Sequence, residues 1–261
     1  MGHPRPFHRN YRAIKPSPNS GYSDWAYIVD PGYAKNPEHY TRALNLIQSD
    51  LIKIFEYIEP SDTNLNTYSY RIHELLMRTC IEIEANFKAI LKENIFNPKK
   101  ENGQPRADNT WNIKDYKKIN KTHHLSSYKV YLPVWTGSMN GLCPFNNWES
   151  NGGLKWYQAY NKSKHDRHAE FKLANLEMLL NAVAALVILL SSQFRTEDFS
   201  PGNTLLALQS NSYFGNTPAI GGYFHIDFPN DWASDEIYDF NWSDLRSESK
   251  KFDKIDFDKI T

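Results

Sequence analysis

A short polar segment in the second half of the chain combines side chains that carry protons with side chains that bind anions. If this segment is helical, Asn161, His165 and His168 lie at positions i, i+4 and i+7 on one face. Lys164 flanks that face, and Arg167 lies at its edge. Free histidine titrates at about pH 6.5, so this arrangement predicts a site that holds a phosphate and moves a proton at neutral pH.

A second polar stripe lies about 80 residues earlier, on a segment with helical periodicity. Glu74, Arg78, Glu82 and Asn86 follow one another at intervals of four residues, which places them on one side of a helix. Two interpretations remain open for this stripe. It faces the histidine segment across a groove between helices and contributes to substrate binding, or it faces water and contains an ordinary intrahelical ion pair between Arg78 and Glu82.

Composition excludes several classes of protein. The 261 residues contain 30 Lys+Arg and 30 Asp+Glu, so the chain lacks the overall basic excess that is typical of nucleic-acid-binding proteins. Hydrophobic residues make up 40% and aromatic residues 14%, which is too much for a disordered chain. The two cysteines, Cys80 and Cys143, are too few for a disulfide framework and predict reduced thiols. With an N-terminus that lacks an apolar signal segment, they predict a cytoplasmic protein.

Three long helices are expected to position the polar segments, which makes the fold mainly α. The first starts at Asn36-Pro37 and stops before Pro60, the second spans about 66–95, and the third spans about 154–194. The third is polar in its first half and apolar on all sides in its second half, which is typical of a central helix. Its apolar run, Met178–Leu190, is shorter than the about 20 residues of a membrane span, so no membrane contact is predicted. The predicted core comprises Leu44, Ile47, Leu51, Ile54, Phe55, Leu75, Leu76, Ile83, Phe87, Ile90, Leu179, Val183, Leu186, Val187 and Leu190.

The remaining sequence divides around this helical bundle. Residues 1–36 form an N-terminal arm, 37–200 the bundle with a loop-rich insertion at about 98–153, and 201–261 a C-terminal appendage. The appendage is predicted to contain one or two short strands near 223–228 and to end in a short amphipathic helix or a frayed tail. The insertion is basic and aromatic, and it forms either a lid or a small domain.

The two long helices with their polar positions resemble the HEPN superfamily. A helix bearing Glu is followed by a helix with Asn161-x-x-x-His165 and then an apolar run. The family motif is Arg, a polar residue, three variable residues and His. In this chain Tyr160 occupies the arginine position. The resemblance covers about residues 40–95 and 154–195.

This resemblance implies a compact helical bundle, often a homodimer, of prokaryotic defence, toxin–antitoxin or RNA-turnover systems. It implies a metal-independent endoribonuclease, or a degenerate relative, with no cofactor. His165 would act as general base or acid with Asn161, and Arg167 would stabilise charge on the phosphoryl group. The substrate-binding residues would be Tyr160, Lys162, Lys164, His168, Arg78 and Glu82. In a dimer formed through the third helix, two polar segments would meet across a two-fold axis.

Other interpretations of these residues remain open. The protein could instead be a non-catalytic helical module that binds a protein or ligand partner, and the Tyr at position 160 favours this. The polar face could simply be solvated, since polar residues at helical spacing are common on surfaces. Trp111, Tyr116 and Tyr128 of the insertion could stack RNA bases or anchor a small core. No metal site is predicted, because His165 and His168 lack a third ligand.

Overall fold

The computed structural model describes residues 2–139, 141–150, 152–199 and 216–260. Within these ranges the protein is mainly α, as predicted, with one small antiparallel sheet. The helices are α1 (Ser20–Ala26), α2 (Pro37–Phe55), α3 (Tyr70–Glu93), α4 (Ile113–His123), α5 (Lys155–His165), α6 (Arg167–Glu170), α7 (Leu176–Phe194) and α8 (Trp242–Leu245). The strands are β1 (Lys129–Tyr131), β2 (Thr217–Pro218) and β3 (His225–Asp227). The predicted helix exit at Ser200-Pro201-Gly202 and the first part of the appendage, 201–215, lie outside the described residues.

The first two predicted helices are confirmed as α2 and α3. Asn36 adopts a left-handed conformation (φ 49°) immediately before Pro37, whose fixed φ suits the first helical position. The start of α3 lies a few residues later than predicted, because Ser69 caps the helix. The Ser69 hydroxyl oxygen accepts a hydrogen bond from the backbone N–H of Ile72 at 3.2 Å.

The central helix of the protein is α7, which packs against α2, α3 and α5. From Leu179 to Leu190 every residue except Asn181 is buried. Among the described helices it alone is long and apolar enough to cross a membrane by composition, but 83% of its most apolar window is buried inside the protein. The prediction of a buried helix is therefore confirmed. All the predicted core residues are buried except Phe55, which is half-buried at the end of α2.

The prediction of one continuous third helix is wrong. The chain turns at Asp166 (φ −135°, ψ 75°), where the side chain accepts from the Ala169 N–H at 3.1 Å and starts α6. It turns again before α7, where Asn175 accepts from the Met178 N–H at 3.1 Å. An unbroken helix over 154–194 would be about 60 Å long, and its polar first half would extend away from the apolar second half. The two turns instead let α5 fold back onto α7 and α3.

The insertion and the appendage are joined by the sheet. The middle strand β3 pairs antiparallel with β1 from the insertion, where Val130 lies opposite Ile226. On its other side β3 pairs with β2. The strand predicted near 223–228 is therefore confirmed. Buried residues of the arm, bundle, insertion and appendage belong to a single apolar core, so the insertion packs as part of the body.

The C-terminal tail is extended, so the predicted helix or frayed end is wrong. The Ile95 N–H donates to the Ile255 carbonyl at 2.9 Å, and the Phe257 N–H donates to the Ile95 carbonyl at 2.8 Å. Lys118 Nζ donates to the Phe257 carbonyl at 3.2 Å. The tail thus supplies hydrogen-bond partners for the backbone of Ile95, just beyond the end of α3. It also binds the side chain of Lys118, one of the cations of the insertion.

A buried histidine joins α4 to the N-terminal arm. His123 is fully buried, with Nε2 2.9 Å from the Arg9 carbonyl oxygen and Nδ1 2.8 Å from the Thr122 hydroxyl. Burial lowers the pKa of His123 to about 3, from 6.5 in water. The imidazole therefore stays neutral in the folded protein across most of the acidic range.

This neutral histidine should make folding stability depend on pH. Below pH 6.5 the unfolded chain binds a proton at His123 that the folded protein does not, so acidification favours unfolding. The contribution is about 1.4 kcal/mol per pH unit between 6.5 and the folded pKa. Urea unfolding at pH 7 and 5.5 should show a larger loss of stability in the wild type than in His123→Gln, which keeps only the contributions of the other histidines. The same pH dependence in both proteins would rule out the assignment.

Candidate nucleic-acid interface

The predicted polar segment forms an exposed corner where α5 ends and α6 begins. The corner exists because Asp166 ends one helix and caps the next. Five Lys, Arg and His residues are exposed at this corner, namely Lys162, Lys164, His165, Arg167 and His168. Basic residues near the last carbonyl groups of a helix are favourably placed, because that end carries partial negative charge.

Of the two residues predicted to share a helical face with His165, the structure keeps Asn161 on that face and places His168 on the next helix. Asn161 and His165 lie on successive turns of α5, with Asn161 half-buried and His165 exposed. His168 lies on α6, so it does not share their helical face as predicted. Among the residues that the structure describes, none holds the His165 imidazole by a hydrogen bond or ion pair. The histidine is accessible but has no group that fixes its orientation.

The residue at the family's arginine position faces the core. Tyr160 is 1% exposed and its ring lies 5.6 Å from that of Tyr157. Lys164 Nζ donates to the Tyr160 hydroxyl at 3.2 Å and lies 5.1 Å from the ring centroid. Burial raises the pKa of Tyr160, so the phenol stays neutral. A direct contact between substrate and the Tyr160 side chain is therefore not supported by its burial.

Beside the corner lies a cluster of aromatic rings with cations over them, here called the α6 patch and defined as Tyr68, Tyr70, Arg167, Phe171 and Lys172. The Phe171 ring lies 4.9 Å from Tyr70 and 5.8 Å from Tyr68. The Arg167 guanidinium lies 5.9 Å from the centroid of Tyr70, and Lys172 Nζ lies 6.0 Å from that of Tyr68. Tyr70 is 68% exposed and Tyr68 is 42% exposed. The patch therefore offers stacking surfaces and positive charge to solvent.

Backbone contacts hold the two halves of the α6 patch together. The two tyrosines stand on either side of Ser69, the residue that caps α3. The other half comprises Arg167 at the start of α6 and Phe171 and Lys172 in the turn between α6 and α7. The Leu176 N–H donates to the Thr67 carbonyl at 2.8 Å, which ties this turn to the loop before α3. The two halves of the patch are about 100 residues apart in sequence, so no local pattern joins them; the two tyrosines flanking the helix cap are the one visible signal.

A histidine that the sequence analysis did not select packs under the patch. The His73 ring lies on α3, 5.5 Å from the Phe171 ring. Its Nε2 is buried and has no hydrogen-bond partner among the described residues. Burial lowers the pKa of His73; a hydrogen bond with the Ser163 backbone opposes this effect, and the charge of Arg167 adds to it. A neutral imidazole therefore supports the Phe171 ring at neutral pH.

In the polar stripe on α3, Glu74 and Arg78 lie on the side facing α2, whereas Asn86 is buried and accepts a hydrogen bond from Gln193 Nε2 on α7 at 3.2 Å. Arg78 Nη2 donates to an Asp50 carboxylate oxygen on α2. Burial raises the pKa of Glu82, which the nearby charges of His39 and Arg78 oppose. One α3 residue that does meet α5 is Glu84, which accepts a hydrogen bond from the Tyr157 hydroxyl at 3.0 Å. Arg78 and Glu82 are therefore not brought together with His165.

The two helices α2 and α3 enclose a groove of about 680 Å³ at the end where α2 finishes and α3 starts. Its walls carry both charged and apolar side chains. It is lined by Asp50, Lys53, Ile54, Glu56, Tyr57, Ile58, Ser69, Arg71, Glu74, Leu75 and Arg78.

The aromatic residues of the insertion form core contacts. Tyr116 is buried and stacks on Phe87 at 4.9 Å with an interplanar angle of 11°. Tyr128 is also buried. Trp111 is half-buried and packs edge-on against Phe96 at 5.0 Å. The base-stacking interpretation is wrong for Tyr116 and Tyr128, and the alternative of a small core applies to them.

Within the described ranges no group of three or more His, Cys, Asp or Glu side chains is placed to hold a metal ion. The cysteines Cys80 and Cys143 are both free thiols. Comparison of the chain with protein-family models, with curated proteins and with solved structures finds no match.

Proposed function

We propose that this protein binds single-stranded RNA at the α6 patch. The observation that carries the proposal is the pair of exposed tyrosine rings, each with a cation near its face. Stacking of a base on such a ring contributes about 1–3 kcal/mol and tolerates any sequence. Bases must be unpaired to reach the rings, which favours single strands over duplex.

Local charge supports the same partner. Between residues 160 and 172 there are four Lys+Arg and two acidic residues, although the whole chain is neutral. One of those acids, Asp166, accepts a backbone N–H as a helix cap. Lys162 and the exposed histidines surround the patch. The patch is thus a positive region on a neutral protein, which attracts a phosphate backbone.

The test is fluorescence anisotropy with a labelled single-stranded RNA of mixed sequence, at several salt concentrations. Removing both cations in Arg167→Ala/Lys172→Ala should weaken binding and reduce the slope of log K against log salt by about 0.7 per lost phosphate contact. The matched control is Arg5→Ala/Lys15→Ala, which removes two exposed cations of the arm. Equal losses in the two variants, or no binding by the wild type, would contradict the proposal.

A second candidate is metal-independent cleavage of that RNA by a HEPN-like site. It is favoured by Asn161 and the accessible His165 on successive turns of α5, beside the patch. His165 would take a proton from a ribose 2′-hydroxyl, and Arg167 would stabilise the charge on the phosphoryl group. It ranks second because Tyr160 is buried at the arginine position and nothing described orients His165.

The same samples separate binding from cleavage. RNA incubated with protein and a chelator should be cut by the wild type and by His168→Ala, but not by His165→Ala, if the site is catalytic. RNA that is bound by the wild type and stays intact would reject the nuclease and leave a non-catalytic RNA-binding module.

A further inference from the structure

We infer that an RNA strand bound at the α6 patch continues into the groove between α2 and α3. There it would meet a second stacking ring on Tyr57 and two phosphate-binding arginines, Arg71 and Arg78. This inference rests on the proposed function, since it extends the path of the same ligand.

The groove and the α6 patch are continuous along the chain. Ser69 and Arg71 line the groove, while Tyr68 and Tyr70, which alternate with them, belong to the patch. Tyr68 and Ser69 lead into α3, and Tyr70 and Arg71 are its first two residues. The patch and the groove therefore meet at the start of α3, where Tyr70 and Arg71 are adjacent residues.

Tyr57 gives the groove its own stacking surface. It is 87% exposed, more than any other large hydrophobic side chain in the described ranges. Neither its ring nor its hydroxyl has a partner among those residues. Beside it the groove has apolar positions, Ile54, Ile58 and Leu75. An exposed ring next to an apolar wall is suited to a planar base.

The arginines of the groove keep donors open for a phosphate. The Arg78 side chain is 43% exposed and reaches Asp50 through Nη2; its Nε is buried, so Nη1 is the donor left for a phosphate. Asp50 also accepts from Lys53 Nζ at 2.9 Å, so two cations share one carboxylate. Arg71 is 83% exposed at its side chain and makes one bond, to Glu74 at 3.2 Å. A guanidinium with free N–H groups can bind a phosphate oxygen pair.

The groove as a whole carries as many acids as cations, because Asp50, Glu56 and Glu74 balance Lys53, Arg71 and Arg78. Net charge alone would therefore not hold a nucleic acid there. Entry depends on the strand already being held at the positive α6 patch, which makes the groove a secondary contact for longer ligands.

The test compares two lengths of RNA in anisotropy measurements on the full chain. An oligonucleotide of about 4 nucleotides should cover the patch alone, and one of about 12 nucleotides should also reach the groove. Tyr57→Ala, and separately Arg71→Ala/Arg78→Ala, should weaken binding of the longer RNA about 10-fold and leave the shorter RNA unchanged. The controls are Leu46→Ala and Arg42→Ala, which change exposed α2 residues outside the groove.

Arg78→Lys keeps the charge near Asp50 and tests whether the guanidinium matters, with thermal unfolding followed by circular dichroism to verify the fold. It should still weaken binding of the longer RNA, because a lysine cannot form the paired contact. Equal wild-type affinity for both lengths, or groove variants that change neither length or both alike, would overturn the inference while leaving patch binding intact. That result would point to another occupant for the groove, such as a protein segment. Failure of both lengths to bind would instead refute the proposed function.

Discussion

Replacement of Arg9 by alanine is expected to destabilise the protein by about 3–5 kcal/mol, the usual consequence of removing one partner of a buried ion pair. The Arg9 side chain is fully buried, and its Nε donates to Glu93 Oε1 at 2.7 Å. Nη1 donates to the Gln193 side chain at 2.9 Å, and Nη2 donates to the Lys35 carbonyl at 2.6 Å. The substitution leaves Glu93 charged, 10% exposed and without its guanidinium.

The measurement is the free energy of unfolding in urea. Arg5→Ala removes an exposed ion pair with Glu248 from the same arm and should cost at most about 1 kcal/mol. Arg9→Met/Glu93→Leu removes both buried charges and should recover much of the stability lost in Arg9→Ala. A loss in Arg9→Ala no larger than that in Arg5→Ala would show that the buried pair does not hold the arm to α3.

Removal of both exposed rings of the α6 patch, in Tyr68→Ala/Tyr70→Ala, is expected to lower the affinity for single-stranded RNA about 100-fold. Each base-stacking ring contributes about 1–3 kcal/mol, and a tenfold change in affinity corresponds to about 1.4 kcal/mol. The loss should persist at high salt, because stacking is not an electrostatic interaction. Loss of the cations Arg167 and Lys172 should by contrast matter most at low salt.

The matched control is Tyr68→Phe/Tyr70→Phe, which keeps both rings and removes only the hydroxyls. It should bind RNA nearly as well as the wild type, as measured by the same anisotropy titration. Unfolding midpoints for both variants report whether the aromatic cluster around Phe171 is still packed. If the alanine variant folds and binds RNA with unchanged affinity, the patch is not the binding surface.

Much of the helical bundle could be predicted because the local spacing of apolar residues indicates helices. The apolar positions of α2, α3 and α7 recur at helical spacing, and nearly all of them are buried as expected. The polar and apolar halves of 154–194 also differ visibly in composition. The break between them was missed, since Asp166 and Asn175 fit a helix face as well as a helix cap.

The candidate site was predictable only where its members are close in sequence. Asn161 and His165 share α5 as expected, because helical spacing alone places them there. The alternative in which Asn161 and His165 face Arg78 and Glu82 across a groove is not observed. Which side of α3 faces α5 depends on how the helices pack. That packing is set by the burial of α7 against α2, α3 and α5.

The sequence by itself determined that α2, α3 and α7 are helical, that their apolar faces are buried and that a cationic, histidine-bearing segment precedes the most apolar helix. Those properties depend on interactions between neighbours along the chain. The tertiary structure alone decided that Tyr160 is buried, that the tail pairs with Ile95 and that Tyr70 lies beneath Arg167. Such contacts join residues far apart in sequence, and they arise only when the buried faces of the helices select their partners.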